Sequence, residues 1–414
     1  MVAGRLAVLN MPSDSSPGEL AKAHALSPRH YLGEEVLQRD LELVFARSWQ
    51  LLAHESRLGA TGDHVVAEIG KTPILIVRGA DARLRAFANV CRHRAGPLAL
   101  CDGRGARALH CKYHGWTYDL EGRLRHAPEM GGAEDFEAAD IRLPEFQVAS
   151  WQGLVFVALD QETPPLEAVY DGIARRIAPI DLSAMEFVRG DAYDIGCNWK
   201  VYVDNFLEGY HLPYVHPGLS KVLDYRAYRT ELSPWHSLQH SPLRSNAGIY
   251  GDGEAFYYFV YPNVMLNIMP GRLQVNRILP AGSDRCRVEF DYYYAPDPEA
   301  RARIGRDREF SDEIQQEDIA ICEAVQRGLA SGQYQAGRLC PRRESGLWHF
   351  HNLLRDAYSR PAVAPVRAAR RPWVVSWAPG WPRRWWWATS SAWESSCSPR
   401  RWRPTASTPS SPGY

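Results

Sequence analysis

The chain of 414 residues carries 48 lysines and arginines against 48 aspartates and glutamates, so its formal charge is zero. That balance offers no basic field to nucleic acid or to an anionic lipid surface, and the interrupted apolar runs fall short of a membrane-spanning helix. The length suffices for two domains, each with its own core. The first residues lack the long apolar stretch of a secretory signal. Eight cysteines spread through so long a chain point to a reducing cytoplasm, not to a disulfide framework. Five of them, Cys101, Cys197, Cys286, Cys322 and Cys340, read as small buried hydrophobes.

Residues 1–45 read as a leader and a helix, with a loop at 12–17 and helical apolar spacing over 34–45. From 46 to 160 the pattern turns to short alternating strands. Strands at 65–69 and 73–78 are split by Gly70-Lys71-Thr72, a hairpin signal. A strand at 84–90 runs straight into Cys91, and an apolar strand at 151–159 precedes the Pro164-Pro165 break. This segment is a small antiparallel β domain. Residues 165–358 read as a second, α+β domain. It has a helix over 204–214 that Pro213 ends or bends, strands at 255–261, 264–268, 273–279 and 287–294, and helices over 298–305 and 311–328. The tail, 359–414, is of another kind. It holds eight of the fourteen tryptophans, Trp385-Trp386-Trp387 among them, interleaved with arginine, proline and serine. It reads as out-of-frame translation of a GC-rich gene, with an interfacial or partner-binding segment as the alternative.

Two motifs carry chemistry. The first is Cys91-Arg92-His93 followed by Cys111-Lys112-Tyr113-His114. Two thiolates and two imidazoles on short loops suit a [2Fe–2S] centre in which histidines replace cysteines on one iron. A structural zinc site would group its cysteines in one pair and its histidines in the other, whereas here each loop offers one of each. Gly115 and Gly96-Pro97 let these loops turn tightly.

The second motif runs from Asp204 through Asn205, Glu208 and His211 to His216. Two histidines near a carboxylate suit a mononuclear non-haem Fe(II) with positions open to O2. His211 and His216 are five apart, and a bend at Pro213 would bring them together. The third ligand is a carboxylate from elsewhere. Asp318 lies on a helical stripe marked by Ile314, Ile321 and Cys322, where a carboxylate needs a partner; Glu317 competes with it. Glu208, one turn before His211 on the expected helix, is placed to accept a hydrogen bond from a metal-bound histidine or from a cluster histidine on a neighbouring surface. Asp204 and Asn205 are candidates for supporting the site, with a helix N-cap as the plain alternative.

With both motifs in order, residues 28–358 resemble the catalytic α subunit of the Rieske non-haem iron oxygenases, the aromatic-ring-hydroxylating dioxygenase family. The segments from Cys91 to Leu98 and from Cys111 to Tyr118 match the two loops of a Rieske cluster domain. Asn205-Phe206-Leu207-Glu208-Gly209-Tyr210-His211 and Gln316-Glu317-Asp318 resemble the branch of choline and carnitine monooxygenases and glycine betaine and stachydrine demethylases. The resemblance implies an α+β chain: a small antiparallel β Rieske domain (46–160), then a helix-flanked antiparallel-sheet catalytic domain (165–358) of Bet v1-like or START-like form. It implies that Cys91, His93, Cys111 and His114 hold the [2Fe–2S] cluster, that His211, His216 and Asp318 hold Fe(II), and that Glu208 bridges the centres. It further implies a homotrimer in which one subunit's cluster feeds the next subunit's iron. A separate flavin and iron–sulfur reductase would bring electrons from NAD(P)H.

The branch implies O2-dependent hydroxylation or N-demethylation of a small quaternary ammonium compound. Ring hydroxylation of an aromatic acid is the alternative within the family. A Rieske electron-transfer protein without its own catalysis is the alternative outside it. Tyr202, Tyr210, Tyr214, Trp235, Tyr250, Tyr257, Tyr258 and Tyr261 make the second domain rich in aromatics. They would cage an ammonium by cation–π attraction, stack on a planar ring or fill the core.

Overall fold

Short alternating segments after Trp49 build the first domain. Strands β1 (Gln50–His54), β2 (His64–Ile69), β3 (Thr72–Arg78), β4 (Leu84–Ala88), β8 (Glu145–Trp151) and β9 (Leu154–Ala158) form one antiparallel sheet in the order β1-β9-β8-β4-β3-β2. The predicted hairpin forms: Ile69 pairs with Thr72, and Gly70 takes φ +59° in the two-residue turn. Between β4 and β8 a small sheet of β5 (Leu109–His110), β6 (Thr117–Tyr118) and β7 (Leu124–His126) carries the second cysteine loop. The structure, a computed structural model, describes residues 20–244, 250 and 252–360. The loop expected at 12–17 and the tail from 361 lie outside the described residues.

The second domain is a seven-stranded antiparallel sheet in the order β10-β16-β15-β14-β13-β12-β11. Its strands are β10 (Glu186–Ile195), β11 (Arg229–Leu232), β12 (His236–Pro242), β13 (Glu254–Val260), β14 (Val264–Met269), β15 (Arg272–Pro280) and β16 (Cys286–Tyr294). Around it run α1 (Glu34–Leu43), α2 (Leu166–Val169), α3 (Ile173–Arg176), α4 (Trp199–Phe206), α5 (Leu212–Val215), α6 (Leu219–Val222), α7 (Pro298–Ala330) and α8 (Ser345–Ser359). The α+β architecture matches the expectation.

Several elements differ from it. The helix expected over 204–214 is two helices: α4 stops at Phe206 and α5 starts at Leu212, with Pro213 in its first turn. A missing N–H costs nothing there. The helices expected over 298–305 and 311–328 are one 33-residue helix, α7. Strands β1, β5, β6, β7, β8, β10, β11 and β12 were not anticipated. Of the five cysteines read as buried, Cys197, Cys286 and Cys322 are, whereas Cys101 is exposed and Cys340 half-buried. Among the described residues no helix is long and apolar enough to cross a membrane.

Alternation along the seven-stranded sheet gives it two different faces. Leu238, Phe256, Tyr258, Leu266, Leu273 and Val275 pack with Trp49, Leu51 and Phe156 of the first domain in one continuous core. Their immediate neighbours Gln239, Tyr257, Asn267, Gln274 and Asn276 face a cavity on the other side. The two domains are thus joined through the sheet's apolar face.

A buried ion pair ties the N-terminal helix to this body. Asp40 of α1 and Lys200 of α4 are both fully buried and pair directly. Trp199 Nε1 donates to the same carboxylate at 2.8 Å, and so does the Tyr358 hydroxyl of α8. Burial lowers the Lys200 pKa, and Asp40 works against that. Replacing Lys200 by methionine leaves the Asp40 charge uncompensated, and should lower the unfolding free energy by about 3–5 kcal/mol. Urea denaturation measures this. A loss under about 1 kcal/mol, the worth of an exposed pair, would show that the tryptophan and tyrosine donors suffice.

Candidate cluster and metal sites

The two cysteine loops have the same backbone design. Cys91 N–H donates to Gly96 O at 2.8 Å and Ala95 N–H to Cys91 O at 3.0 Å; Cys111 N–H donates to Trp116 O and Gly115 N–H to Cys111 O, both at 2.9 Å. In each loop the residue four after the cysteine is left-handed, at φ +57° for Ala95 and +76° for Gly115. The turn expected of Gly96-Pro97 is therefore made by Ala95. Gly96 serves a different need, since a Cβ there would sit 2.9 Å from Cys111 Sγ.

The loops face each other. The His93 and His114 rings lie 4.5 Å apart at 71°, and His93 stacks on Trp116 at 4.8 Å. Cys91 Sγ lies 3.3 Å from the Tyr118 hydroxyl, which also accepts from Arg92 N–H at 3.0 Å. Two observations test whether a cluster fits. His93 Nδ1 is buried without a partner, and burial raises the Cys111 thiol pKa, so a thiolate there needs a nearby cation. Thiol beside thiol and imidazole beside imidazole suits two metals with different ligands. A single ion suits it less: among the described residues only His211, His216 and Asp318 bring three ligand atoms within 4.8 Å of one another.

That second group forms where the chain leaves helix. Glu208 sits in the break between α4 and α5, not on a shared helix with His211 as expected. It reaches His211 all the same. Its carboxylate accepts from His211 Nδ1 at 2.6 Å and from the backbone N–H groups of Tyr210 and His211. His216, at the end of α5, is buried; its Nδ1 donates to Glu317 at 2.7 Å, while its Nε2 lies 3.0 Å from Asp318. Burial opposes a charged His216, yet Asp318 and Glu317 outweigh it and raise its pKa. A proton on Nε2 thus stands where a cation would. Glu317 takes the far nitrogen of His216, and Asp318 the near one, which separates the two competing carboxylates by role.

Asn205 Nδ2 donates to Asp318 at 2.6 Å. Asp204 instead accepts from the Tyr31 hydroxyl at 2.5 Å and lies 3.1 Å from His351 Nε2, away from the three ligand candidates. Neither residue is an N-cap; Asn198 caps α4. The stripe expected around Asp318 is only partly there: Ile314 lines the cavity and Cys322 is buried in the core, but polar residues interleave with them. Ile321 is 37% exposed, and the inward side of α7 presents Ser311, Gln315, Cys322 and Gln326.

The three residues head a cavity of about 100 Å³. Of the aromatics singled out in the sequence, Tyr202, Tyr250 and Tyr257 line it. Tyr210 and Tyr214 are exposed, and Trp235, Tyr258 and Tyr261 belong to cores. Phe206, Tyr228, Phe290 and Phe310 complete the aromatic wall and were missed. So were the polar residues of β15, although Arg272-x-Gln274-x-Asn276 in an otherwise apolar strand is a readable signal.

A model of the Rieske [2Fe-2S] domain matches residues 48–147, and one of the ring hydroxylating alpha subunit (catalytic domain) matches 182–360. Chloroplastic choline monooxygenase of Arabidopsis thaliana is 35% identical over 341 residues, covering 78% of this chain and 80% of that one. The carnitine monooxygenase oxygenase subunit of Escherichia coli strain K12 is 29% identical over 353 residues, 81% of this chain and 94% of that one. A crystal structure of a quaternary ammonium Rieske monooxygenase with an inhibitor aligns at TM-score 0.76 and 27% identity, over 84% of this chain and 99% of that one. The chain belongs to the Rieske non-haem iron oxygenase α subunits, O2-using oxidoreductases. Within that family its likeness is to the quaternary ammonium monooxygenases. A Rieske electron carrier without catalysis is excluded by the catalytic-domain match.

Carboxylates that fix metal-binding imidazoles through their far nitrogen are typically worth 10–100-fold in metal affinity. Glu317→Ala should accordingly weaken Fe(II) binding about 10- to 100-fold and leave the cluster's visible absorption unchanged. Equilibrium dialysis with chelator-buffered iron reads the affinity. Wild-type affinity in the variant would refute this role of Glu317.

Proposed function

We propose that this chain is the oxygenase component of a two-part monooxygenase that hydroxylates or N-demethylates a small quaternary ammonium compound. The observation that carries the reading is the juxtaposition of His211, His216 and Asp318 with an aromatic-walled cavity. Bound at their respective residues, Fe(II) would supply O2 activation and the cluster electrons. Glu208 and Glu317 would hold the two imidazoles with their near nitrogens inward, and Asn205 would orient Asp318. Tyr202, Tyr250 and Phe290 would meet the ammonium head with ring faces, each worth about 0.5–2 kcal/mol. Relatives named for choline and carnitine support an ammonium substrate over an aromatic acid.

Cys91, His93, Cys111 and His114 are assigned to the cluster, and a reductase drawing on NAD(P)H is assigned to its reduction. The catalytic sheet separates the cavity from the first domain, which packs on the sheet's other face. Direct passage between the centres of one chain is therefore unfavourable. This supports a homotrimer in which a neighbour's cluster delivers electrons, with Glu208 as the bridge. Tyr113 beside His114, and Tyr210 and Tyr214 beside His211, are large exposed aromatics suited to that contact. The free cysteines among the described residues support a cytoplasmic setting.

The test is a single turnover of chemically reduced, iron-loaded protein with O2 and a panel of choline, carnitine, glycine betaine, stachydrine and aromatic acids. Formaldehyde from a methylammonium compound, or an aldehyde from choline, is expected; a hydroxylated aromatic acid as the sole product would overturn the reading. Asp318→Ala should empty the iron site while keeping the cluster's reduced EPR signal, and loss of both signals would count against the assignment. Glu208→Gln should retain both metals yet slow cluster oxidation during the turnover. An unchanged rate would remove Glu208 from the electron route.

A further inference from the structure

A row of cross-strand side chains runs along the cavity, and all but its last member, Tyr292, line it. Gln239, Tyr257, Asn267, Gln274 and Tyr292 are direct cross-strand partners from β12 to β16. The ends of the row are satisfied within the protein. Gln239 accepts from the Tyr228 hydroxyl at 3.1 Å and donates to Phe206 O at 2.6 Å. Gln274 accepts from Arg272 at 2.5 Å and donates to Asn276 at 2.8 Å, and Tyr292 pairs with Ser311 at 2.8 Å. The middle is not satisfied. The Tyr257 hydroxyl and Asn267 Oδ1 are buried without any hydrogen-bond partner. From α7, Gln315 lines the same cavity with its Nε2 equally orphaned, while its Oε1 is held by the Tyr202 hydroxyl at 2.7 Å.

Other buried polar atoms lack a partner, as at Ser237, Tyr261 and Asn263, but Tyr257, Asn267 and Gln315 are the ones that line the cavity, and a ligand there would complete them. Their chemistry selects it. Burial pushes the Tyr257 phenol pKa above its ordinary value, so it stays protonated and able to donate. Gln315 Nε2 is a donor, and Asn267 Oδ1 is an acceptor. A hydroxyl, donor and acceptor at once, answers this set. A carboxylate would turn lone pairs on Asn267 Oδ1. Arg272, which lines the cavity, is already matched to a carboxylate: its Nε donates to Asp307 at 2.7 Å, both buried, and the Tyr250 and Tyr294 hydroxyls donate to that carboxylate as well.

We propose that Tyr257, Asn267 and Gln315 bind the hydroxyl group of the substrate, so that the cavity selects an ammonium alcohol over an ammonium carboxylate. The inference rests on the ammonium reading above and narrows it.

Isothermal titration of the full chain with three compounds tests it: choline, n-propyltrimethylammonium (a methyl in place of the hydroxyl) and glycine betaine. Choline should bind at least about tenfold more tightly than either of the others. Tyr257→Phe, which removes one oxygen and keeps the ring, should erase most of choline's advantage over n-propyltrimethylammonium without changing the latter's affinity. Tighter binding of glycine betaine than of choline, or equal weakening of choline and n-propyltrimethylammonium in the variant, would overturn the proposal and leave the ammonium reading standing. Binding of none of the three would overturn both. If Tyr257→Phe does not fold, as judged by circular dichroism, the wild-type comparison of the three ligands decides alone.

Discussion

Each imidazole at the head of the cavity is held from behind by a carboxylate, Glu208 for His211 and Glu317 for His216. This pair of contacts sets what the surrounding fold must provide. A histidine ring turns easily about its side-chain bonds, and a hydrogen bond at Nδ1 fixes both its tautomer and its plane. The two anchors come from unlike places. Glu317 is carried by the 33-residue α7, next in sequence to Asp318, so one helical turn supplies both an anchor and a candidate ligand. Glu208 comes from the non-helical break between α4 and α5, where its carboxylate also takes the N–H groups of Tyr210 and His211. Had α4 run on through Glu208, those N–H groups would be engaged within the helix.

The seven-stranded sheet serves two masters, and period-two alternation is what lets it. One face is apolar and fuses the domains; the other carries amides, phenols and a guanidinium into a cavity. A register slip of one residue on β15 would swap Arg272, Gln274 and Asn276 for Leu273 and Val275, exposing the interdomain core and closing the cavity with apolar bulk. Seven strands in continuous antiparallel pairing make such a slip costly. The price of the polar face is reduced by internal pairing: Arg272 with Asp307, Gln274 with Asn276, Tyr292 with Ser311.

Legibility in the sequence followed locality. The cluster loops were readable because each packs its candidate ligands, its turn and its close approach into six residues; only the left-handed residue, Ala95 instead of a glycine, went unread. The fold class and the four central strands of the second domain were readable from alternation. Strands β10 and β11 were not, because they lie at the sheet's edges, and their polar, exposed positions blur the pattern. The helix break at Glu208 had a local signal that went unread, Gly209, where a Cβ would also sit 2.7 Å from the Tyr228 ring. Asp318 was reached through a stripe of Ile314, Ile321 and Cys322 that does not exist as drawn, since Ile321 faces outward. The inward side of α7 mixes polar and apolar residues, because it faces the cavity at Ser311 and Gln315 and the core at Cys322 and Leu329.

That polarity has an energetic reading. A buried donor or acceptor left without a partner costs about 1–3 kcal/mol, a large fraction of the net stability of a domain. Where the chain could have placed leucine or valine around the cavity, it keeps Tyr257 and Asn267 on the sheet and Gln315 on α7 with atoms unmatched by any protein group. The neighbouring positions show that matching was within reach, since Gln239, Gln274 and Tyr292 in the same row are all satisfied. Unlike the orphans at Ser237, Tyr261 and Asn263, these three line a cavity, beside neighbours that are satisfied. They mark the point where the folded chain is less stable than it could be, and where a ligand of matching polarity would recover the difference as binding.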